Sequence, residues 1–305
     1  MADADPPDAM TVVDADMDAN PPMMDAAALD ADPPADASAP DAMATEPLPP
    51  GLTELSFDQE IDGEVVSRAV ILHAPMTVDA ASSYPIVFAF HGAGGTNERW
   101  SRTFREYVDA GRFVGVYPQG HNRRWNINPL DAETNADDVA FVTMIADYLM
   151  RYRNLNHERR FAYGTSNGGG ISLKLAVQTS LFKAITSVVT QLSRGGEPTA
   201  STGTVGVMQI LGVNDRVIPY EGGSGPMGQD FYSGLESARL WALHNGCTTT
   251  YDLRTMAGNR FIERRDCTDG VRVIHYGIEG AGHGIPGDTE GGLANLAVDF
   301  FEMTP

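Results

Sequence analysis

Arg160-Phe161-Ala162-Tyr163-Gly164-Thr165-Ser166-Asn167-Gly168 is the stretch on which the reading of this chain turns. Its first four residues are β-like, and an apolar helical pattern runs from Ile171 to Leu181 just beyond it. A serine at a strand-to-helix turn must hold its Oγ clear of the backbone, and the glycines two before and two after it allow the tight approach. The helix that follows would aim its N-terminal N–H groups at the serine, favouring charge that develops on an acyl oxygen. With 32 glycines in 305 residues, a G-x-S-x-G arises by composition in about one such chain in five. The context on either side and the partners downstream therefore decide its meaning.

Strand and helix alternate outward from the elbow. Upstream, Leu52 to Phe57 and Val65 to His73 flank Asp62-Gly63, a strong hairpin signal. Ile86 to Phe90 is a continuous apolar run of the kind covered on both faces in a parallel sheet. It leads into His91-Gly92-Ala93-Gly94-Gly95, a helical pattern from Asn97 to Asp109, and a second buried-strand candidate, Phe113 to Tyr117. An irregular loop follows, Pro118 to Leu130. The next helix is expected to be capped by Thr134 or Asn135, with Asp137 and Asp138 in its first turn as capping and packing residues.

Downstream, Ala184 to Thr190, Val205 to Leu211 and Val271 to Ile278 read as strands, and Phe231 to Asn245 and Gly291 to Met303 as helices. The alternation predicts an α/β fold with an open, largely parallel sheet and helices on both faces. Reactive groups in such sheets gather at the carboxyl ends of the strands. Asp215 follows the strand ending at Leu211, and His283 follows the strand ending at Ile278. Ser166, then Asp215, then His283 is the chain order of an α/β-hydrolase triad. Asp230 and Asp288 are the rival acids if those strand ends shift.

Composition divides the chain. Met1 to Pro50 holds eleven Asp, one Glu, ten of the 19 prolines and no Lys, Arg or aromatic residue. Self-repulsion and the lack of an amphipathic period predict a disordered acidic tail over residues 1–50, followed by a catalytic domain over residues 51–305. The body keeps 29 acidic against 21 basic residues, net −8, which argues against nucleic acid as a partner. No run of about 18 apolar residues occurs, so no spanning helix is expected. Ala/Asp/Pro spacers of this kind suit secreted or surface-tethered domains, with an export signal expected upstream of Met1. Cys247 and Cys267 bracket a β-rich piece, Thr249 to Arg254, and a turn at Gly258-Asn259; a bridge across it would contribute about 3 kcal/mol in the chain-entropy model. Two buried free thiols are the other possibility. Zinc is not expected, for want of a C-x-x-C pair or a spaced His cluster.

One family matches these motifs as a set. The chain resembles the secreted poly(3-hydroxybutyrate) depolymerase and feruloyl esterase group of α/β-hydrolases, related to family 1 carbohydrate esterases, from about residue 60 to the C-terminus. The resemblance rests on the Asp62-Gly63 hairpin, Phe90-His91-Gly92-Ala93-Gly94-Gly95, Tyr117-Pro118-Gln119-Gly120 with Trp125-Asn126, and Asp137-Asp138-Val139. It continues through Gly164 to Gly169, Asp215 to Tyr220, Trp241 with Asn245-Gly246-Cys247, and Gly282 to Gly287. It implies Ser166, Asp215 and His283 as the triad, and Cys247 in a disulfide, here with Cys267. Two positions depart from the group: Leu211 stands where a histidine often precedes the acid, and Ile285 stands where a tryptophan often follows the catalytic histidine. The second removes an aromatic surface beside the site and bears on the choice of substrate.

The chemistry expected is ester hydrolysis, with Ser166 as nucleophile, His283 as base and Asp215 holding the imidazole tautomer, and with no metal or organic cofactor required. The oxyanion hole is expected from the backbone N–H groups of Ala93 and Asn167. His91, at a strand end, reads as a loop-shaping residue. Trp125 and Tyr220 are candidates for a substrate-binding wall, with packing beneath a loop the other role open to each. Arg123 and Arg124 could meet an acidic substrate or solvent. Candidate substrates are hydroxyalkanoate, feruloyl or acetyl polysaccharide, and aromatic polyester, polymeric ones included. A peptidase or acyltransferase would use the same triad, and a surface-displayed binding protein on a hydrolase scaffold is the alternative from another class.

Overall fold

The computed structural model describes residues 46–127, 134–225 and 228–305. Most of the acidic tail, and residues 128–130 of the loop after Tyr117, lie outside the described residues. The chain proceeds through β1 (Gly51–Ile61), β2 (Glu64–Ala74), β3 (Tyr84–Phe90), α1 (Glu98–Thr103), α2 (Arg105–Asp109) and β4 (Val114–Pro118). Next come α3 (Asp138–Leu149), β5 (Leu155–Thr165), α4 (Asn167–Gln178), β6 (Ala184–Val188) and β7 (Gly206–Gly212). The two-residue strands β8 (Gly223–Ser224) and β9 (Asp230–Phe231) precede α5 (Gly234–His244), β10 (Thr249–Arg254), β11 (Arg260–Arg265), β12 (Val273–Ile278) and α6 (Leu293–Glu302).

A ten-stranded sheet runs in the order β1-β2-β4-β3-β5-β6-β7-β12-β11-β10. Its middle, from β4 to β12, is parallel throughout. Antiparallel strands finish both edges. The hairpin between β1 and β2 closes through Asp62 and Gly63, whose φ values of 54° and 80° suit a type I′ turn and the twist of its strands.

In β3 the continuous apolar run serves two layers. Ile86, Phe88 and Phe90 join a core with Phe141 and Ile145 of α3, Ile171 and Leu175 of α4, and Trp241 of α5. Val87 and Ala89 face the opposite core with Trp100 and Phe104, Val108 of α2, and Val298 and Phe301 of α6. Helices thus cover both faces, as the alternation predicts.

Three local expectations need correction. The helix read over 97–109 is two short ones, because Phe104 between them leaves helical geometry (φ −99°, ψ 5°) with its ring fully buried against Trp100 and Tyr163. The cap of α3 is neither Thr134 nor Asn135 but Asp137, whose carboxylate accepts from the Ala140 N–H at 3.0 Å. Asp138, wholly buried, pairs with the buried Arg68 guanidinium at 2.7 Å, and so the second aspartate packs as expected. The third concerns the tail. Leu48 is 3% exposed and belongs to the core, and Glu46 bridges to Tyr152. Packing against the body therefore begins before residue 51, through the Leu48 side chain and the backbone pairing of Glu46 with Arg151 and Arg153.

Cys247 and Cys267 are joined in a disulfide, tying the end of α5 to the turn after β11. That strand, Arg-Phe-Ile-Glu-Arg-Arg, escapes a hydrophobicity reading because charges interrupt it, three of which are paired in place. Glu263, 4% exposed, meets both Arg265 and Arg272, and Arg260 grips Asp252 on the neighbouring strand at 2.6 Å.

Candidate active site

Ser166 sits between β5 and α4 with φ 53° and ψ −122°, a left-handed backbone that lifts its side chain off the chain path. The flanking glycines are required by contact. A Cβ on Gly164 would lie 2.0 Å from the Gly168 carbonyl oxygen, and one on Gly168 would lie 2.1 Å from that of Phe90. The three consecutive glycines also explain why α4 begins at Asn167, four residues before its apolar period becomes visible.

The Ser166 hydroxyl donates to His283 Nε2 at 2.8 Å, and His283 Nδ1–H donates to Asp215 Oδ2 at 2.8 Å. Asp215 is 7% exposed, and its other oxygen accepts from the Val217 and Ile218 N–H groups at 2.8 and 3.0 Å. Asp215 and His283 lie just past β7 and β12, which are parallel neighbours, so adjacent strand ends deliver them to one point. The rivals lie elsewhere: Asp230 is exposed and paired with Arg194 at 3.0 Å, and Asp288 is exposed at the start of a one-turn helix.

Ala93 follows β3 in a loop packed on the elbow: a Cβ on Gly92 would lie 3.3 Å from the Thr165 carbonyl oxygen. Asn167 opens α4, where first-turn N–H groups have no partner inside the helix. Its side chain has a different task, accepting from the Trp125 N–H at 2.7 Å and donating to the Trp125 carbonyl at 2.9 Å.

Trp125 is not a wall for substrate. It is fully buried, its ring is edge-on to Phe90, and its indole N–H donates to the His91 carbonyl at 2.8 Å. It therefore locks the loop bearing Ala93 to the elbow. His91 is structural as expected: Nδ1–H donates to the Gly92 carbonyl at 2.8 Å, and Nε2 accepts from the Gly120 N–H at 3.0 Å. Burial lowers its pKa below the ordinary imidazole value, outweighing the bond to Gly92, so the ring holds these loops in its neutral form. Arg123 bends back to the Gly95 carbonyl at 3.3 Å.

Tyr220 is not a wall either. It is 6% exposed, and its hydroxyl donates to Nε2 of the fully buried His275 at 2.9 Å. Burial, with Arg264 and Arg260 adding to it, pushes the His275 pKa down to about 3. The unfolded chain binds a proton here below about pH 6.5, whereas the folded chain refuses it until about pH 3. This contribution to stability is whole above pH 6.5 and is lost as pH falls across that window. By pH 5 the loss should amount to about 2 kcal/mol. Denaturant unfolding at pH 8 and pH 5 is expected to show that much less loss in His275→Gln than in the wild type. Equal losses would remove His275 as the cause.

Ser166 and His283 open into a cleft of about 340 Å³. Its walls are Trp100 and Arg99 of α1, Tyr163, Val189, Ile285, and Leu293 and Ala294 of α6. Sequence reasoning missed most of these, although Ile285 had been marked as the place where an aromatic is absent. It also missed Thr190, whose hydroxyl donates to the Ser166 carbonyl at 2.8 Å. Val189 beside it takes a positive φ of 50°, unusual for a β-branched residue. Among the described residues no cluster of His, Cys, Asp and Glu could hold a metal ion, and no helix is long and apolar enough to cross a membrane.

No protein-family model matches the chain. It is 30% identical over 224 residues to a probable feruloyl esterase C of Aspergillus clavatus, covering 68% of this chain and 74% of that protein. A probable feruloyl esterase C of Aspergillus niger is 28% identical over 256 residues, 78% of this chain and 85% of that one. Among solved structures, an acetyl xylan esterase from Aspergillus awamori superposes with a TM-score of 0.56 at 13% identity, covering 82% of this chain and 99% of the esterase. At that identity the likeness speaks for the fold.

Proposed function

The chain belongs to the feruloyl esterase family of α/β-hydrolases and is a carboxylic ester hydrolase, and from that premise we propose that Ser166, His283 and Asp215 hydrolyse the ester through an acyl-enzyme. The observation that carries this reading is the unbroken relay of two 2.8 Å hydrogen bonds from Ser166 to His283 to Asp215. Ser166 Oγ attacks the ester carbonyl while His283 Nε2 takes its proton, and Asp215 holds Nδ1–H and stabilises the imidazolium. The carbonyl oxygen gathers charge toward the N–H groups of Ala93 and Asn167. His283 then protonates the departing alcohol, and water, deprotonated by the same imidazole, releases the acid.

The substrate class we assign is the ester of a small or phenolic acid on a polysaccharide, or a polyester of hydroxy acids. An open cleft without a tryptophan at Ile285 supports a site that takes esters of varied shape. We also assign the protein to a secreted or surface-tethered location. The disulfide between Cys247 and Cys267 supports an oxidising compartment. The test is a panel of 4-nitrophenyl acetate, methyl ferulate, acetylated xylan, hydroxybutyrate oligomers and an aromatic polyester, assayed for product release. Turnover of one or more polymeric or phenolic esters is expected. Turnover of none of them, in protein shown to be folded, would overturn the assignment.

A further inference from the structure

The cleft at Ser166 has an electrostatic character that the body of the protein does not share. Acids outnumber bases beyond residue 50, yet no Asp or Glu side chain lines the cleft, and Arg99 is the one cationic side chain that does. Arg99 is exposed, and its guanidinium carbon stands 5.6 Å from the centre of the Trp100 ring. Its charge reaches Tyr163, another lining residue. Among the described residues it has no carboxylate partner, in contrast to Arg112, Arg239 and Arg260, each of which is paired.

The adjacent acid does not neutralise it. Glu98 turns to the Thr96 side chain and its own backbone N–H, which lower its pKa, and the arginine whose charge acts on it is Arg102. Trp100, Tyr163, Val188, Val189, Ile285 and Leu293 give the cleft apolar walls, beside the polar residues Thr103, Thr165, Ser166 and His283. A trough with apolar side chains on its walls, a nucleophile on its floor, no carboxylate and one unpaired guanidinium is complementary to a chain or ring that ends in an anion. Arginine presents a planar fork of donors that matches a carboxylate.

We propose that Arg99 is a carboxylate-recognising residue of this cleft, and that the enzyme prefers esters in which the acyl or the alcohol half carries a free carboxylate. The proposal rests on Ser166 as the nucleophile only for its kinetic arm. The released half would keep its carboxylate, and the reaction itself needs no change.

Two pairs of esters that differ by one charge test it and tell the halves apart. Mono(4-nitrophenyl) adipate against 4-nitrophenyl hexanoate places the carboxylate on the acyl side. 3-Hexanoyloxybenzoate against phenyl hexanoate places it on the alcohol side. At low ionic strength, one pair should show a preference in kcat/KM for the charged ester of about tenfold over that of Arg99→Gln. Arg99→Lys should keep part of the preference, and added salt should shrink it. Charged-to-neutral ratios that are the same in wild type and Arg99→Gln for both pairs would overturn the proposal.

Calorimetric binding of the four esters to Ser166→Ala and to Ser166→Ala/Arg99→Gln gives a readout free of turnover. Tighter binding of one charged ester, lost with Arg99→Gln, supports the proposal even if Ser166 is not the nucleophile. Equal affinities in the two proteins reject it.

Discussion

Ser166→Ala is expected to lower ester turnover on the order of a million-fold, the size of effect that follows loss of a triad nucleophile, while leaving the protein folded. The fold should survive because the local contacts of Ser166 are made by its backbone. Its N–H donates to the Val188 carbonyl at 2.8 Å, and its carbonyl accepts from the Gly170 N–H at 3.0 Å and the Thr190 hydroxyl at 2.8 Å. None of these needs Oγ, whose described partner is His283. Alanine also meets the same left-handed backbone at little more strain than serine. The check is kcat on a 4-nitrophenyl ester beside a thermal melt. Activity within tenfold of wild type, at an unchanged melting temperature, would remove Ser166 as nucleophile.

Asp215→Asn is expected to cost on the order of ten-thousand-fold, by analogy with the same change in other triads, and the hydrogen bonds around Asp215 say why. One carboxylate oxygen is claimed by the N–H groups of Val217 and Ile218, and the other faces His283 Nδ1. In asparagine the oxygen must stay with the two N–H donors, so the NH2 group turns toward Nδ1. Two donors then oppose each other unless the imidazole carries its proton on Nε2, the tautomer that cannot accept from Ser166. Asp230→Asn and Asp288→Asn should leave kcat within about threefold of wild type, since surface substitutions away from a site do little. If instead either rival abolishes turnover and Asp215→Asn does not, the relay seen here is not the one that works.

Much of this arrangement is legible in the chain because it is locally encoded. The elbow announces itself through steric exclusion at Gly164 and Gly168. The hairpin at Asp62-Gly63 is legible because both residues tolerate positive φ. Buried strands such as Ile86 to Phe90 are legible because a sheet covered on two faces admits no polar alternation. Asp215 and His283 could be named because strand ends in a parallel sheet point to one edge. Where local signals were masked, the reading slipped. In β11 the charges are paired locally, Arg260 with Asp252 of β10 and Glu263 with Arg265 and Arg272, and the first turn of α4 is glycine.

By itself, then, the sequence determined the alternating α/β layout, the serine elbow, and the order in the chain of the proposed acid and base behind it, since each follows from backbone sterics and burial period over a few residues. Only the tertiary structure decided which way the large rings face. Trp125 and Tyr220 sit in loops on the catalytic side, but the indole N–H found the His91 carbonyl and the phenol found His275, and both rings went under. Likewise the cleft is assembled from α1, the ends of β5 and β6, the loop after β12, and α6. No local pattern links residues so far apart in the chain; they meet because the two core layers pack them together.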